Sequence, residues 1–483
     1  MSLALVPPVE GKLSPLERLE ALCDPGSLRL IRSDVRSARM GGKARPGDGV
    51  VGGSGTVHGR AVACYAQDPS FAGGSLGHAH AETIVRVLGL AERSRVPVVG
   101  FVESAGARLQ EGLAALGGYG RIFAEHVRLS GVVPQVSVIT GASAGGGSYA
   151  PALTDFVVMT EAATMFLTGP GVVSEVMGER LSADDLGGHR VHERNGVSHF
   201  TARDDVEAAR LVGDLLDHLP AHAGARPLRR AAVEPPGGRP DRVVPDEDRR
   251  VYDVRAVIRE IVDGGRLLEV SPRFARNVVC GFARLDGRPV GVVANQPHHL
   301  GGILDADAAQ KAARFVRTCD LFGVPLVVLV DTPGFMPGSR QEQAGVIRHG
   351  AKLVHAFAQA AVPKVTVVLR KAFGGAFIAM NSKELGADLA FAWPQAQLGV
   401  MGPAQAVGII HRRSIAEADD AGGARDRLAR EYAEEHLNAG VATAEGYVDE
   451  VIAPSQTRER LAHALGALDA GGRRESAYTN IPL

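Results

Sequence analysis

Two short glycine-rich stretches carry residue types suited to holding an anion. The first is PQVSVITGASAGGGSY, from Pro134 to Tyr149, and the second is PKVTVVLRKAFGGAF, from Pro363 to Phe377. Each sets a β-branched apolar run, the text of a buried strand, ahead of a glycine pair: Gly145 with Gly146, and Gly374 with Gly375. Glycine turns the backbone sharply and leaves its N–H groups uncovered by a side chain. A strand ending in bare amides is equipped to stabilise an oxyanion, each well-placed donor being worth about 3–4 kcal/mol. No convergent His or Glu pair stands out near either loop.

The elements that must position these loops also occur twice. Around the first loop, the text predicts two β-rich runs within Val50–Asp68, a Gly73–Gly74 loop, a helix from about His80 to Ser94 and a strand over Val96–Val102. Around the second, the strand-like VGVVANQ precedes Gly301–Gly302, a helix follows from about Ala306 to Leu321, and a strand covers Val324–Val330. Gly73 and Gly301 lie 228 positions apart, as do Val96-Pro97 and Val324-Pro325, and Glu103-Ser104-Ala105-Gly106 and Asp331-Thr332-Pro333-Gly334. The spacing is 229 for the glycine pairs Gly145 and Gly374, and 233 for Gly169-Pro170 and Gly402-Pro403. It reaches 250 at Gly196 and Gly446, after a helical insertion from about Ser414 to Asn438. Collinear matches at slowly growing spacing mean one domain written twice; two copies are too few for a solenoid. Strands alternate with helices in each copy, which predicts α/β architecture. The expected division is a first domain over 1–225, a linker over 226–250 in a Pro-, Gly- and charge-rich stretch, and a second domain over 251–483.

Composition narrows the function classes. At 483 residues the chain is long for one hydrophobic core, and 45% hydrophobic with 22% charged residues is ordinary for a globular protein. Lys+Arg at 53 against Asp+Glu at 54 gives no electrostatic case for nucleic acid or an anionic membrane surface. No apolar run is long enough for a transmembrane helix, and the N-terminus does not read as a signal peptide, so a cytoplasmic location is expected. Cys23, Cys64, Cys280 and Cys319 are far apart without a CxxC pair, and read as four buried thiols. Ser14, Pro15 and Glu17 have the spacing of a capping box at the start of a helix near Pro15–Leu22.

Seven segments in order resemble the carboxyltransferase (β) subunit of biotin-dependent acyl-CoA carboxylases of the propionyl-CoA and acetyl-CoA type. They are GKLSPLERLEALCDPGS near the start, ESAGARLQEG at Glu103, GASAGGGSYAPALTDFVVM at Gly141, NQPHHLGGILDADAAQKAARFVRTCD at Asn295, DTPGFMPGSRQEQAGVIRHGAK at Asp331, RKAFGGAFIAM at Arg370 and AWPQAQLGVMG at Ala392; the ending NIPL also fits. The resemblance implies a tandem of crotonase-like domains that moves a carboxyl group from carboxybiotin to the α-carbon of a short-chain acyl-CoA. It implies a ring-like homohexamer whose site lies between the first domain of one protomer and the second domain of another. It also implies that biotin sits on a carrier domain of a partner (α) subunit bearing the biotin carboxylase, with a small accessory subunit possible. No AMKM-like biotinylation text and no ATP-binding glycine loop occur here, so the chain reads as half of an enzyme, with no metal of its own.

The same resemblance assigns residues. The amides of Gly145 and Gly146 would hold the thioester oxygen, and those of Gly375 and Ala376 the biotin carbonyl. Loss of CO₂ from carboxybiotin leaves a ring nitrogen basic enough to take the α-proton. Ile378 occupies the position that lines the end of the acyl pocket, where some relatives carry Asp, and its apolar wall implies tolerance of acetyl, propionyl and butyryl chains. The backbone of Ala105, Gly106 and Ala107 would receive the adenine of coenzyme A, with Arg108 near a phosphate; Ala105 stands where a glycine is usual. Phe373 and Phe377 stand where tyrosine is common, which suggests specialised metabolism, such as supply of fatty acid or polyketide precursors. His298 and His299 lack the third ligand a metal would need. His349 reads as ordering a helix, Asp305 and Asp307 as acids at a helix start, and Trp393 as core. Three alternatives stay open: the carboxyltransferase part of a biotin-dependent decarboxylase or transcarboxylase, a crotonase-like hydratase or hydrolase, and a non-catalytic assembly paralogue.

Overall fold

The computed structural model describes residues 12–245, 247, 250–469 and 480. The chain divides into two compact units, the first ending at Leu228 and the second beginning at Arg229. In the first unit the strands are β1 (Arg29–Ile31), β2 (Val50–Val57), β3 (Arg60–Gln67), β4 (Val98–Ser104), β5 (Gln135–Ala144), β6 (Phe156–Thr160), β7 (Thr164–Phe166) and β8 (Phe200–Ala202). They form one sheet in the order β1-β2-β3-β4-β5-β6-β8, with β7 leaving that path to pair with β5. In the second unit the strands are β9 (Leu268–Val270), β10 (Val278–Leu285), β11 (Arg288–Asn295), β12 (Leu326–Thr332), β13 (Lys364–Phe373), β14 (Leu389–Ala392), β15 (Gln397–Gly399) and β16 (Glu450–Val451). Their order is β16-β14-β13-β12-β11-β10-β9, with β15 pairing to β13. The two topologies are the same, which is the duplication that the spacing predicts.

Each sheet opens with an antiparallel hairpin and continues parallel. The parallel strands are nearly continuous apolar text because both faces are covered; every residue of β4 and of β12 is buried. The helix His78–Ser94 buries Ala81, Ile84, Val87, Leu88 and Ala91, a helical stripe facing β2–β4. Its duplicate Ala306–Leu321 is capped by Asp305, whose Oδ1 accepts from Ala308 N–H at 2.9 Å. The helix Pro15–Leu22 carries the expected capping box, Ser14 and Glu17 each accepting the other's backbone N–H. Trp393 is fully buried and donates Nε1–H to Thr457 Oγ1 at 2.9 Å. All four cysteines are free and buried.

Two sequence expectations about boundaries need correction. The Pro- and Gly-rich stretch after residue 225 is not a free linker: Arg230 N–H donates to Gly287 O, Gly264 N–H to Val233 O, and Val244 lies in the core of the second unit. Proline and glycine satisfy a segment laid over a surface as well as one that floats. At the other end, Asn480 belongs with the first unit, where its Nδ2 donates to Asp155 and its backbone N–H to Ser130.

The repeat also begins earlier than the glycine loops suggest. The helices Pro15–Leu22 and Val254–Arg259 and the strands β1 and β9 each start 239 positions apart, whereas β2 and β10 start 228 apart. The segment between β1 and β2 is longer by those eleven residues, and the change of spacing hides the match.

Candidate active site

The register of β5 explains how its glycine loop is presented. Val102 of β4 pairs with Ile139, but Ser104 pairs with Ser143, so β5 carries two extra residues at a bulge. A bulge bends the strand that holds it. Beyond the bend, Ala142–Ala144 pair with Thr164–Phe166 of β7 on the side where β6 lay before it. Gly145 then turns with φ 58°, a conformation suited to glycine, and the helix Gly146–Ala152 begins. Ser148 fastens the turn, its Oγ lying 3.0 Å from Ser143 O and 2.9 Å from Phe166 O.

This geometry corrects the assignment of Gly145. Its N–H donates to Phe166 O at 3.2 Å, so that amide is committed to β7 and not to a ligand. The amides left without an acceptor in the helix are those of the first turn, Gly146 and Gly147. Gly146 lies against the ring of Tyr119, where an added Cβ would come within 2.6 Å of Cγ. Tyr119 is fixed by a 3.1 Å hydrogen bond with Ser104 Oγ, and burial pushes its hydroxyl up to about 12.

The second unit repeats the arrangement. Val330 pairs with Val368 and Thr332 with Ala372, the same two-residue bulge, after which Lys371–Phe373 pair with β15. Gly374 has φ 61°, and the helix Gly374–Ala379 puts Gly375 and Ala376 in its first turn. Gly145 and Gly374 are equivalent turns, so Gly146 and Gly147 match Gly375 and Ala376 at a spacing of 229. In both copies the first of these two residues is the more accessible and the second is buried. Ile378 is about half exposed on the short helix Gly374–Ala379.

The Ala105–Arg108 loop departs from expectation at its charged end. Arg108 does not face solvent or a phosphate: it is buried, and Nη1 pairs with Asp48 at 2.6 Å and with Glu111 at 2.8 Å. Its Nη2 donates to Asp48 O and Ser75 O. The sequence hid this because Asp48 lies sixty residues away. The backbone here is also partly committed: Ala105 N–H donates to Gly73 O, Gly106 N–H to Ser104 Oγ, and Gly106 O accepts from Leu76. Ala107 faces Leu76 in a parallel bridge, so its own N–H and C=O point away from that partner. Ala105 is exposed and Ala107 half-buried.

Beneath this loop runs a buried polar chain. Arg18 pairs with Glu103 at 3.1 Å and with Asp205 at 2.8 Å, and Lys12 also pairs with Glu103. Glu103 N–H donates to Gln67 Oε1, whose Nε2 meets His80 Nε2 at 3.2 Å. With its oxygen engaged, the Gln67 amide donates and the imidazole accepts. Burial, with Arg108 close by, lowers His80 from 6.5 to about 3. Its folded pKa lies below its unfolded one, so the stability it contributes is complete above about pH 6.5 and is lost as pH falls towards 3. The expected slope is up to about 1.4 kcal/mol per pH unit, with buried His126 adding in the same direction. Thermal unfolding of the wild type followed from pH 7 to 4 should therefore fall more steeply than that of His80→Gln; equal slopes would contradict this.

His298 and His299 stack with ring centroids 5.3 Å apart on an exposed loop. Among the described residues no group of three or more His, Cys, Asp or Glu could hold a metal, and no helix is long and apolar enough to cross a membrane. His349 lies on the helix Val346–Gln359, held below its ordinary pKa first by burial. Sequence reasoning missed Gly147, Tyr119, Ser104 and Ser148. The third glycine of GlyGlyGly, at the position matching Ala376, was the available signal.

The carboxyl transferase domain family matches residues 9–480. The propionyl-CoA carboxylase beta chain of Saccharopolyspora erythraea is 48% identical, over 98% of this chain and 91% of that protein. The biotin-dependent acetyl-/propionyl-coenzyme A carboxylase beta5 subunit of Mycobacterium tuberculosis is 45% identical, over 98% and 90%. Among solved structures, the transcarboxylase 12S hexamer with methylmalonyl-coenzyme A and methylmalonic acid bound superposes with a TM-score of 0.92 at 44% identity, covering 98% of this chain and 93% of that one. The match spans nearly the whole chain and the duplicated crotonase-like fold agrees with it: the chain belongs to the carboxyl transferase family. Its activity is that of an acyl-CoA carboxyltransferase, as in the β subunits of biotin-dependent carboxylases.

Proposed function

We propose that this chain moves a carboxyl group between carboxybiotin and the α-carbon of a short-chain acyl-CoA, using the first-turn amides of Gly146 and Gly147 for the thioester oxygen and those of Gly375 and Ala376 for the biotin carbonyl. The observation that carries the reading is the repeated bulge–turn–helix, which presents equivalent amides twice. Two anions form in such a transfer, the thioester enolate and the ureido oxygen, and each needs donors fixed before charge develops. The exposed Gly375 suits a carbonyl arriving from outside: an added Cβ there would meet only Phe335, at 4.0 Å. Carboxybiotin is a substrate here; it supplies the carboxyl group and, once that has left, the nitrogen that takes the α-proton.

Biotin would arrive on the carrier domain of a partner that also holds the biotin carboxylase, in the cytoplasm, with a small accessory subunit possible. Assembly as a homohexamer, with one protomer's first unit facing another's second, is supported by the apolar side chains that each unit leaves exposed. Tyr149, Leu167, Val176 and Met177 are exposed on the first unit, and Ile378, Val400, Ile409 and Ile410 are exposed at the matching positions of the second. Repeated exposed apolar surface of this kind marks a contact face. Two solution measurements test the reading: carboxyl transfer from methylmalonyl-CoA to free biotin by the purified chain, and its mass. Transfer by a hexamer is expected; no transfer would favour a non-catalytic assembly paralogue. The transcarboxylase relative keeps the direction of carboxyl flow open, because the same amides stabilise the same anions both ways.

Ile378 would close the acyl pocket with an apolar wall, so acetyl, propionyl and butyryl chains should all be accepted. Ile378→Asp should lower kcat/KM for butyryl-CoA about tenfold relative to acetyl-CoA, the scale of burying or losing one or two methylenes. An unchanged preference across the three esters would remove Ile378 from the pocket.

A further inference from the structure

The duplication supplies an internal control for the charges beneath the Ala105–Ala107 loop. In the first unit Leu76 N–H donates to Gly106 O at 2.8 Å and Arg108 N–H to Leu76 O at 2.9 Å. In the second, Leu304 N–H donates to Gly334 O at 3.0 Å and Met336 N–H to Leu304 O at 2.7 Å. Gly106 N–H to Ser104 Oγ at 3.2 Å has its twin in Gly334 N–H to Thr332 Oγ1 at 3.3 Å. The backbone is therefore built alike in both. The side chains are not: where the first unit has Asp48, Arg108 and Glu111, the second has Arg276, Met336 and Ser339, each 228 positions on.

The ion triad is thus not needed to fold the bridged loop. Burying three charges is weak evidence for stability, since apolar side chains of similar volume are often as stable or more so. The first unit keeps the triad at one place, and its connections show what it adds. Arg108 joins Asp48, Ser75 and Glu111, while Glu111 also accepts from His78 N–H at 2.7 Å and Ser37 Oγ at 2.8 Å. The guanidinium also lies over the Phe71 ring, 5.0 Å from its centroid. One cation therefore holds the segment before β2, the Phe71–Ser75 loop, the turn after Arg108 and the start of the helix His78–Ser94 in fixed relation.

We propose that the Asp48–Arg108–Glu111 triad is a positioning device for the nucleotide end of acyl-CoA: it fixes the Ala105–Ala107 backbone in the pose that receives the ligand, and sets KM for acyl-CoA without entering the chemistry. The inference rests on the reading that this backbone receives coenzyme A. A loop ordered in advance lowers the cost of ordering it on binding. The second unit, whose substrate carries no nucleotide, makes the same bridge with Met336.

The test uses transfer from methylmalonyl-CoA to free biotin, compared with transfer from methylmalonyl-pantetheine, which lacks the nucleotide. Arg108→Met should raise KM for methylmalonyl-CoA about 10- to 100-fold, with kcat within about twofold and KM for the pantetheine ester unchanged. Arg108→Lys should recover part of the loss. Because Arg108→Met leaves two carboxylates buried without a cation, the neutral variant Asp48→Asn/Arg108→Met/Glu111→Gln accompanies it and should show the same split. An unchanged KM in the folded variants, or parallel losses on both esters, would overturn the positioning role. Ala105→Glu, on the loop itself, separates the two claims. If it leaves KM for methylmalonyl-CoA untouched, the coenzyme A reading fails; if it raises KM while the triad variants do not, only the positioning role fails.

Discussion

Gly146→Ala is expected to lower kcat for carboxyl transfer by about 10²- to 10³-fold, the usual consequence of losing one oxyanion donor. The cause is displacement, because the amide itself survives the substitution. A Cβ on Gly146 would sit 2.6–2.8 Å from three carbons of the Tyr119 ring, closer than side chains approach. Tyr119 is buried and tied to Ser104, so the ring does not yield cheaply. The backbone moves instead, carrying the donor away from the forming charge. Two controls follow from the same geometry. Tyr119→Ala in the Gly146→Ala background makes room for the methyl and should return part of the lost rate. Gly375→Ala, where the nearest atom is 4.0 Å away, should cost far less. Single-turnover rates on the four proteins check this, with far-ultraviolet circular dichroism confirming that each is folded.

Arg370→Ala should be the most destabilising single change in the second unit, by about 3–5 kcal/mol, a large share of the 5–15 kcal/mol that usually separates folded from unfolded. Arg370 is buried, with Nε 3.2 Å from Asp331 Oδ2, and its Nη1 donates to Glu247 O and Arg250 O. Tyr252 OH donates to the same Asp331 oxygen at 2.9 Å, and the guanidinium lies over its ring. Burial already pushes the Asp331 carboxyl above its ordinary range, with Arg370 pulling the other way. Without Arg370 the folded pKa rises further, so the folded state takes up a proton more readily than the unfolded one. Stability is then regained as pH falls through the folded value. Urea unfolding at pH 7.5 and pH 5 should therefore show a larger deficit at the higher pH. A deficit below about 1 kcal/mol at pH 7.5 would mean that the pair contributes little.

The first unit answers the same need from another part of the chain. Gly141 stands where the second unit has Arg370, and an added Cβ there would meet Glu103 Oε1 at 2.2 Å. Glu103 is served instead by Lys12 and Arg18, from the start of the chain. Equivalent carboxylates, Glu103 and Asp331, are thus neutralised by unrelated cations, and nothing in the local text announces it.

That contrast marks how far the residues could be read unaided. The duplication was legible because glycine turns at Gly73, Gly145, Gly301 and Gly374 recur at nearly constant spacing, and positive φ at each explains their persistence. The parallel strands were legible because two-sided burial leaves unbroken apolar runs. The fate of individual donors was not. Whether the Gly145 N–H is free depends on β7 reaching the bent end of β5, and whether Arg108 meets a phosphate depends on Asp48, both settled by tertiary pairing. The stretch after residue 225 misled for a related reason: Arg230 and Val233 use backbone groups to lie against the second unit, which composition does not record.

A structure of the assembled protein with both an acyl-CoA and biotin bound tests the central claim most directly. The thioester oxygen should lie about 2.7–3.1 Å from the amides of Gly146 and Gly147, and the biotin carbonyl at the same distance from those of Gly375 and Ala376. A thioester oxygen held by other donors, or both ligands gathered on the amides of one unit, would contradict it.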